Sequence, residues 1–271
     1  MNFRKNILLK KYTTFKIGGP AKYFFEAKTK IELISALKLA KEKNLPFFIL
    51  GGGSNLLVSD QGFNGLVIKF GQPLSAYVTK GLEWAIGIPG TIQAAVWGNA
   101  GAFGGSMADV VKSVEVLDIN SLKIKILKNK DCKFAYRDSV FKQKKNLIIL
   151  SVEIKTKKSS LKKIKEYLAH RKKTQPLNFP SAGSVFKNPV GLSAGKLIQD
   201  CNLKGKKIGN VQVSEKHANF IINLGNGQAK DVIKLIKLIK EKVKNKFGIV
   251  LEEEIQLLTY SHLTNFQKMK K

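Results

Sequence analysis

Arginine is rare in this chain, so its few positions are the first places to look for chemistry that depends on geometry. Of the 48 basic residues 45 are lysines, and the arginines are Arg4, Arg137 and Arg171. A guanidinium group can bind a carboxylate through two parallel hydrogen bonds, which an ammonium group cannot do. An ordinary surface position fits Arg4, and Arg171 fits a surface role and a specific role equally well. For Arg137 the surrounding segment, residues 136–142, must decide.

A run of glycines, Gly51-Gly-Gly-Ser-Asn55, separates two short apolar segments, residues 46–50 and 56–58, that we interpret as strands. Successive glycines can adopt positive φ and expose backbone N–H groups, which suits a phosphate. A tight hairpin turn without a ligand explains the run equally well, because its spacing matches neither a P-loop nor a dinucleotide fingerprint. A second glycine-rich region, residues 87–90 and 99–105, lets the backbone approach a flat or charged group; close packing of a small-residue helix is the alternative.

The net charge of +29 suggests a nucleic-acid partner at first, but the kind of charge argues against one. Lysine cannot imitate the planar fork that base recognition favours, and the lysines are spread along the chain.

Cys132 and Cys201 have neither metal-ligand nor CxxC spacing, which predicts reduced thiols and no metal site. The apolar stretches are too short to span a membrane, and the first ten residues lack the hydrophobic region of a signal peptide. We therefore expect a cytoplasmic protein without a membrane partner.

Hydrophobic periodicity predicts a mixture of helices and strands, with the main domain boundary in the stretch that contains Pro176, Pro180 and Gly183. The spacing predicts helices over 29–44, 161–173, 193–202 and 231–247, and strands over 46–50, 56–58, 114–118, 123–127, 147–155, 218–223 and 249–258. The first of these helices begins with the capping-box spacing of Thr29 and Glu32, and Gly248 ends the last one. The last of these strands carries Glu252, Glu253 and Glu254.

Four segments, taken in order, resemble one family. They are residues 50–60, residues 87–91 with 99–105, Tyr136-Arg-Asp-Ser139, and Ser181-Ala-Gly-Ser-Val-Phe-Lys-Asn-Pro189. Together they resemble the UDP-N-acetylenolpyruvoylglucosamine reductase family, over nearly the whole chain. The resemblance implies an α+β fold: a two-part FAD-binding region of the vanillyl-alcohol-oxidase (PCMH) type, followed by a C-terminal α/β substrate-binding domain. We expect subdomains over 1–66 and 67–175 and the substrate domain over 176–271.

The resemblance also implies the reaction. NADPH delivers hydride to FAD, reduced flavin passes it to C3 of the enolpyruvyl ether of a UDP-sugar, and C2 receives a proton. The product, UDP-N-acetylmuramate, is a precursor of peptidoglycan, which connects the enzyme with cell-wall biogenesis, cell shape and cell division. We expect a cytoplasmic monomer without a nucleic-acid partner.

Site residues follow from the matching motif positions. Arg137 and Glu254 would stabilise the enolate, and Ser184 would donate the proton to C2. Glu252 and Glu253 are alternatives to Glu254, and a turn hydrogen bond is the alternative for Ser184. The acid must keep a proton to help an anion, so we expect burial to raise its pKa. Substrate contacts are expected at Tyr136, Lys187 and Asn188. FAD contacts are expected at Gly51, Gly52, Gly53, Ser54, Asn55, Leu56, Gly87, Pro89, Gly90, Thr91, Asn99 and Gly101.

The chain departs from the family pattern in two places. Residues 71–80 stand where the family has a few dozen more residues, so coverage of the flavin could suffer. Gln93-Ala94 stands where the family has a run of small residues that begins with glycine. Gln93 would be strained if that position needs positive φ. The extra tyrosine-bearing loop of one subtype is also missing, which indicates the simpler subtype.

Three other functions compete with this interpretation. The chain could be an oxidoreductase of the same flavin fold with another substrate, a flavin-binding remnant without turnover, or a basic nucleic-acid-binding protein.

Overall fold

Residues 1–261, which the computed structural model describes, contain fifteen β-strands and seven α-helices. The strands are β1 (Arg4–Leu8), β2 (Pro20–Glu26), β3 (Phe47–Leu50), β4 (Leu56–Val58), β5 (Phe63–Lys69), β6 (Gly101–Ala102), β7 (Gly105–Ser106), β8 (Val111–Asp118), β9 (Lys123–Lys128), β10 (Leu147–Ile154), β11 (Ser181–Ser184), β12 (Lys207–Ile208), β13 (Val211–Val213), β14 (Phe220–Asn223) and β15 (Gln256–Leu258). The helices are α1 (Lys30–Glu42), α2 (Ile92–Trp97), α3 (Met107–Val110), α4 (Val140–Gln143), α5 (Leu161–Thr174), α6 (Ala194–Asp200) and α7 (Ala229–Phe247). Residues 262–271, which the predicted substrate domain includes, lie outside the described residues.

The N-terminal sheet has the strand order β1-β2-β5-β3, and α1 packs on it. Thr29 begins α1 with the predicted capping box: its hydroxyl accepts from the Glu32 N–H, and the Glu32 carboxylate accepts from the Thr29 N–H. Leu33 and Leu37 are fully buried on the apolar face of the helix. β3 pairs with β5, whereas β4 belongs to a different sheet. The hairpin alternative for the first glycine run is therefore wrong.

The central sheet is an antiparallel meander of order β10-β8-β9, against which α2 packs. The short segment before it forms a 3₁₀-helix, Leu74–Lys80, with Leu74 and Val78 buried. Gln93 is the second residue of α2 and does not have positive φ, so the strain foreseen for it is absent. Its side-chain carbonyl instead accepts from the Gln72 N–H at 2.9 Å and so holds the beginning of the short segment.

The C-terminal sheet has the order β11-β14-β13-β12, and α7 packs against it. The buried face of α7 includes Val232, Ile239 and Val243, and Gly248 ends the helix at φ 71°, as its position in the sequence predicts. The N-terminus of α7 is capped from a distant part of the chain. Asp60 accepts from the N–H groups of Ala229 and Lys230 at 2.7 and 3.0 Å.

The last strand returns to the N-terminal half, where β15 pairs in parallel with β4. The predicted strand over 249–258 is wrong in its length, since only Gln256–Leu258 forms a ladder. The preceding glutamates meet Phe186 in a single antiparallel bridge at Glu253. Glu253 pairs with Phe186, whereas Gln256–Leu258 pairs with β4. Because the pairing partner changes, no continuous strand forms. No helix within residues 1–261 is long and apolar enough to cross a membrane.

Candidate active site

Ser184 is presented by a β-bulge. Ser181 lies opposite Ile222 and Ser184 opposite Phe220, so β11 carries one residue more than β14 between these pairs. Gly183, inside the bulge, has φ 76°, and no other atom lies within 4 Å of the place where its Cβ would be. A bulge redirects the side chain that follows it. The Ser184 hydroxyl forms no hydrogen bond with any residue in 1–261, so the turn alternative has no support there.

Substitution of Gly183 by alanine should reduce both stability and turnover. An L-residue in the left-handed region costs about 1–2 kcal/mol, and a displaced Ser184 should slow proton delivery about 100-fold. Thermal unfolding and single-turnover kinetics measure the two effects. Gly248→Ala is the matched control, because it introduces the same strain at φ 71° in an equally open place at the end of α7, outside β11. Equal turnover in the two variants would contradict the positioning role of the bulge.

The segment after Ser184 pairs with the three glutamates. The Val185 carbonyl accepts from the Glu254 N–H at 2.8 Å, and the Lys187 N–H donates to the Glu252 carbonyl at 2.9 Å. The three side chains then have different partners, although the sequence could not separate Glu252 from Glu254. The carboxylate of Glu252 meets Lys187, that of Glu253 meets Lys240 on α7, and that of Glu254 meets Arg137.

Arg137 and Glu254 are joined by a part-buried hydrogen bond. Arg137 Nε donates to Glu254 Oε1 at 2.7 Å, and Nη2 donates to the Gly101 carbonyl at 3.0 Å. The side chains are 23% and 18% exposed, so they border open space. Arg137 Nη1 forms no hydrogen bond with a described residue. One face of the guanidinium therefore remains available to an anion.

The pKa of the Glu254 carboxyl is raised, as the sequence predicted. Burial is the largest cause, and it outweighs the lowering by Arg137, Lys142 and Lys187. Glu252, which is exposed beside Lys187, has instead a lowered pKa. Of these two, only Glu254 is placed to keep a proton at a pH where most carboxyls are ionised.

Replacing Glu254 by glutamine should remove a pH dependence. As pH rises through the raised pKa, Glu254 loses its proton, so a step that needs the protonated acid becomes slower. Glutamine does not ionise, and it should give a rate about 100-fold lower but without that alkaline decline. Substrate-dependent flavin reoxidation measured against pH tests this. Glu253→Gln, one residue earlier and bonded to Lys240, should keep the decline. A decline that persists in Glu254→Gln would assign it to another group.

Lys142 is a contact that the sequence did not reveal. Its ammonium donates to the Arg137 carbonyl at 2.8 Å and lies 5.0 Å from the centre of the Trp97 ring. Burial, aided by nearby Lys187, lowers its pKa. Arg137 has φ 53°, a left-handed conformation that needs support in a non-glycine residue. The only signal in the sequence was the presence of Lys142 in the same short segment as Arg137.

The three predicted substrate residues lie together at the edge of this site. The Asn188 N–H donates to the Tyr136 hydroxyl at 3.2 Å, and Lys187 pairs with Glu252. The Asn188 side-chain carbonyl accepts from the Ala194 N–H at the start of α6. Tyr136 is 55% exposed, and the Arg137 guanidinium lies 5.2 Å from its ring centre. These residues therefore lie at the mouth of the candidate site, beside Arg137 and Glu254.

The glycine run presents unused donors. None of the backbone N–H groups of residues 51–55 donates a hydrogen bond to another residue in 1–261. A Cβ on Gly52 would lie 2.4 Å from Gly90 Cα, and one on Gly51 would lie 2.7 Å from Thr91 Oγ1. The two glycine-rich regions therefore pack backbone against backbone. Five adjacent free donors make an anion-binding loop.

The other predicted cofactor positions differ in what their side chains do. Gly87 and Pro89 are exposed next to Gly90, and the Leu56 side chain is buried in β4. Asn99 is buried, with its amide bonded to the Ala135 carbonyl and the Ala108 N–H, so its side chain holds the backbone.

The second glycine-rich region continues as a hairpin. Gly101 belongs to the hairpin of β6 and β7, whose turn residues Phe103 and Gly104 both have positive φ. The small-residue helix is therefore the wrong alternative for this stretch.

Asn55 connects the glycine loop to the acid. Its side-chain amide donates to the Glu254 carbonyl at 3.0 Å, and its own carbonyl accepts from the Gln256 N–H at 3.0 Å. The loop that can hold a phosphate and the backbone of the buried carboxyl are thus one hydrogen-bonded unit.

Comparisons with known proteins identify the family of this chain. Residues 175–258 match the model of the C-terminal domain of UDP-N-acetylenolpyruvoylglucosamine reductase, and residues 21–79 match that of an FAD-binding domain. The UDP-N-acetylenolpyruvoylglucosamine reductase of Caldanaerobacter subterraneus subsp. tengcongensis is 43% identical, with 92% of this chain and 91% of the relative covered. This chain belongs to the UDP-N-acetylenolpyruvoylglucosamine reductase family.

Other members show the same breadth of similarity. The reductase of Clostridioides difficile is 41% identical over 92% of this chain and 91% of its own. The crystal structure of the reductase from Thermus caldophilus has a TM-score of 0.81 and 34% identity, covering 95% of this chain and 100% of that one. The predicted α+β fold, with an FAD-binding region followed by the C-terminal domain of this reductase family, is confirmed.

The anion-binding loop lies within the residues that match an FAD-binding domain. FAD carries a pyrophosphate, and the free N–H groups of residues 51–55, within the FAD-binding domain, fit one. The chain is also shorter than its relatives. The alignment with the Caldanaerobacter reductase spans 277 positions. It includes 92% of this 271-residue chain, which is only about 250 residues. The relative therefore has residues without a counterpart in this chain.

Proposed function

We propose that this chain uses NADPH and FAD to reduce the enolpyruvyl ether of UDP-N-acetylglucosamine-enolpyruvate to UDP-N-acetylmuramate, a precursor of peptidoglycan. The observation that carries the proposal is the part-buried pair of Arg137 and Glu254, next in the fold to a serine hydroxyl without a partner in the described chain. The names of the relatives support the choice of substrate.

The residues have complementary tasks in this reaction. FAD, when bound, supplies the hydride that adds to C3 of the enolpyruvyl group. Addition at C3 moves negative charge through C2 into the substrate carboxylate, and Arg137 Nη1 is available to bind that carboxylate. The protonated Glu254 donates a hydrogen bond to the same developing charge, which a carboxylate could not do. Ser184 delivers a proton to C2, a strongly basic carbon at that stage.

The remaining site residues have supporting parts in the proposal. Residues 51–56 hold the pyrophosphate through backbone donors, and Gly87, Pro89, Gly90, Thr91, Asn99 and Gly101 line the flavin side. Lys187 and Asn188, with Tyr136 at the mouth, bind the diphosphate and sugar. The division into 1–66, 67–175 and 176–271 remains a prediction, as do the cytoplasmic location and the monomeric state.

One spectroscopic experiment tests the function. Purified protein should be yellow, NADPH should bleach it without oxygen, and the UDP-enolpyruvyl sugar should restore the colour. A flavin bleached by NADPH but indifferent to the sugar would favour another substrate or a remnant without turnover. Colourless protein that binds nucleic acid in a salt-sensitive manner would overturn the proposal. The same titration with NADH decides the choice of nicotinamide cofactor.

A further inference from the structure

Arg171, near the C-terminus of α5, is a buried cation without a counter-charge in the described chain. Arg171 is 6% exposed, and no carboxylate in residues 1–261 lies within salt-bridge distance of its guanidinium group. Nη2 donates to the Trp84 carbonyl at 3.2 Å, whereas Nε is buried and has no partner. Burial lowers the pKa of the guanidinium, and no acidic neighbour opposes this effect. A buried charge is costly unless it is paired, so this position calls for an anionic ligand.

Arg171 lies against aromatic rings, which connect it to the Arg137–Glu254 pair. The guanidinium lies 5.2 Å from the ring centre of Phe103, which stacks on Tyr167 at 4.1 Å. Phe103 is at the turn of the β6–β7 hairpin, and the other end of that hairpin accepts the hydrogen bond from Arg137 through Gly101. One short hairpin therefore joins Arg171 to the Arg137–Glu254 pair.

Arg171 is also close to the anion-binding loop. A Cβ on Gly87 would lie 3.2 Å from Arg171 Cδ, and Gly90, three residues later, touches Gly52. Three residues span at most about 11 Å. A ligand whose phosphates occupy residues 51–55 can therefore extend its ring system to Arg171.

We propose that Arg171 binds the N1–C2=O edge of the flavin ring and stabilises the negative charge that two-electron reduction places there. The proposal rests on the FAD site of the proposed function. Reduced flavin carries its negative charge at N1 and the C2 oxygen, and the Arg171 guanidinium would supply the counter-charge there. The pyrophosphate already has five backbone donors, so it does not need Arg171. At the turn of the β6–β7 hairpin, no other atom lies within 4 Å of where a Cβ on Gly104 would be, so there is free space next to Phe103, the ring that the guanidinium approaches.

Arg171→Met and Arg171→Gln test this in the flavin-loaded full chain. Gln retains a donor for the Trp84 carbonyl, and Met retains the apolar stem. The midpoint potential of bound flavin and the Kd of oxidised FAD are measured for each. Reduced flavin should be bound at least tenfold less favourably relative to oxidised flavin, which for a two-electron couple equals a potential about 30 mV more negative. Arg4→Met, an exposed arginine over Phe24, is the control and should not shift the potential.

Each other outcome overturns the assignment. An unchanged potential with weaker binding of oxidised FAD would place the guanidinium on the pyrophosphate. Loss of flavin from both folded variants would do the same, and failure of both to fold would make Arg171 structural. Neither measurement uses the UDP-sugar. A protein that shows the shift but does not reduce the sugar would keep this inference and lose the proposed function.

Discussion

Replacing Ser184 by alanine should leave the reduction of bound flavin by NADPH unchanged and nearly abolish its reoxidation by the UDP-enolpyruvyl sugar. The two half-reactions use different residues in the proposed mechanism, and only the second needs a proton at C2. A positioned acid typically contributes 10²–10⁴-fold, so a loss of roughly 10³-fold is expected. Stopped-flow absorbance of the flavin separates the two steps.

The control for this experiment is another serine whose hydroxyl is remote from the site. Ser113 on β8 donates to Glu153, and Ser113→Ala should leave both half-reactions intact. Ser184→Cys should retain part of the second step, because a thiol can also give up a proton. A second half-reaction at the unsubstituted rate in Ser184→Ala would show that another group supplies the proton.

Replacing Gly52 by alanine should remove the flavin. The added methyl group would lie 2.4 Å from Gly90 Cα and 3.0 Å from the Gly90 nitrogen, and backbone atoms cannot move aside as a flexible side chain can. Separation of the two glycine-rich regions should misplace the donors of residues 51–55. We expect colourless protein, with Tm lower by roughly 2–12 °C if overpacking costs about 1–3 kcal/mol.

Gly98→Ala is the matched control for Gly52→Ala. Gly98 follows α2 at φ −92°, and the nearest atom to its added Cβ would be the Ala94 carbonyl oxygen at 3.7 Å, an ordinary contact. It should purify with full flavin content, measured as the ratio of flavin to protein absorbance. Full flavin content and an unchanged Tm in Gly52→Ala would disprove the role of the close contact with Gly90.

Local patterns in the sequence predicted the parts of the fold that depend on neighbouring residues. The capping box at Thr29 and the glycine end of α7 involve groups within four residues of one another, so their spacing is sufficient. The order of four motifs predicted the family and, with it, the candidate site. The rarity of arginine indicated that Arg137 needed an explanation before any partner was known.

Contacts between distant segments were beyond such patterns. The choice of Glu254 over Glu252 depends on Lys187 and Arg137, which neither spacing nor strand alternation can place. The foreseen strain at Gln93 was wrong because α2 gives that residue a helical backbone and Gln72 gives its side chain a partner. The long C-terminal strand was wrong because two different segments share its backbone donors and acceptors.

The hydrogen bond between Asn55 and Glu254 has a consequence for the order in which the molecule forms. It joins residues 199 positions apart, so closing that loop costs more chain entropy than pairing any of the local hairpins. Sheets built from neighbouring segments should therefore form first, and β15 should dock on β4 late. Until β15 docks, Glu254 is not held in contact with Arg137. The hairpins should thus form before Glu254 reaches Arg137, and activity should appear only after β15 has docked on β4.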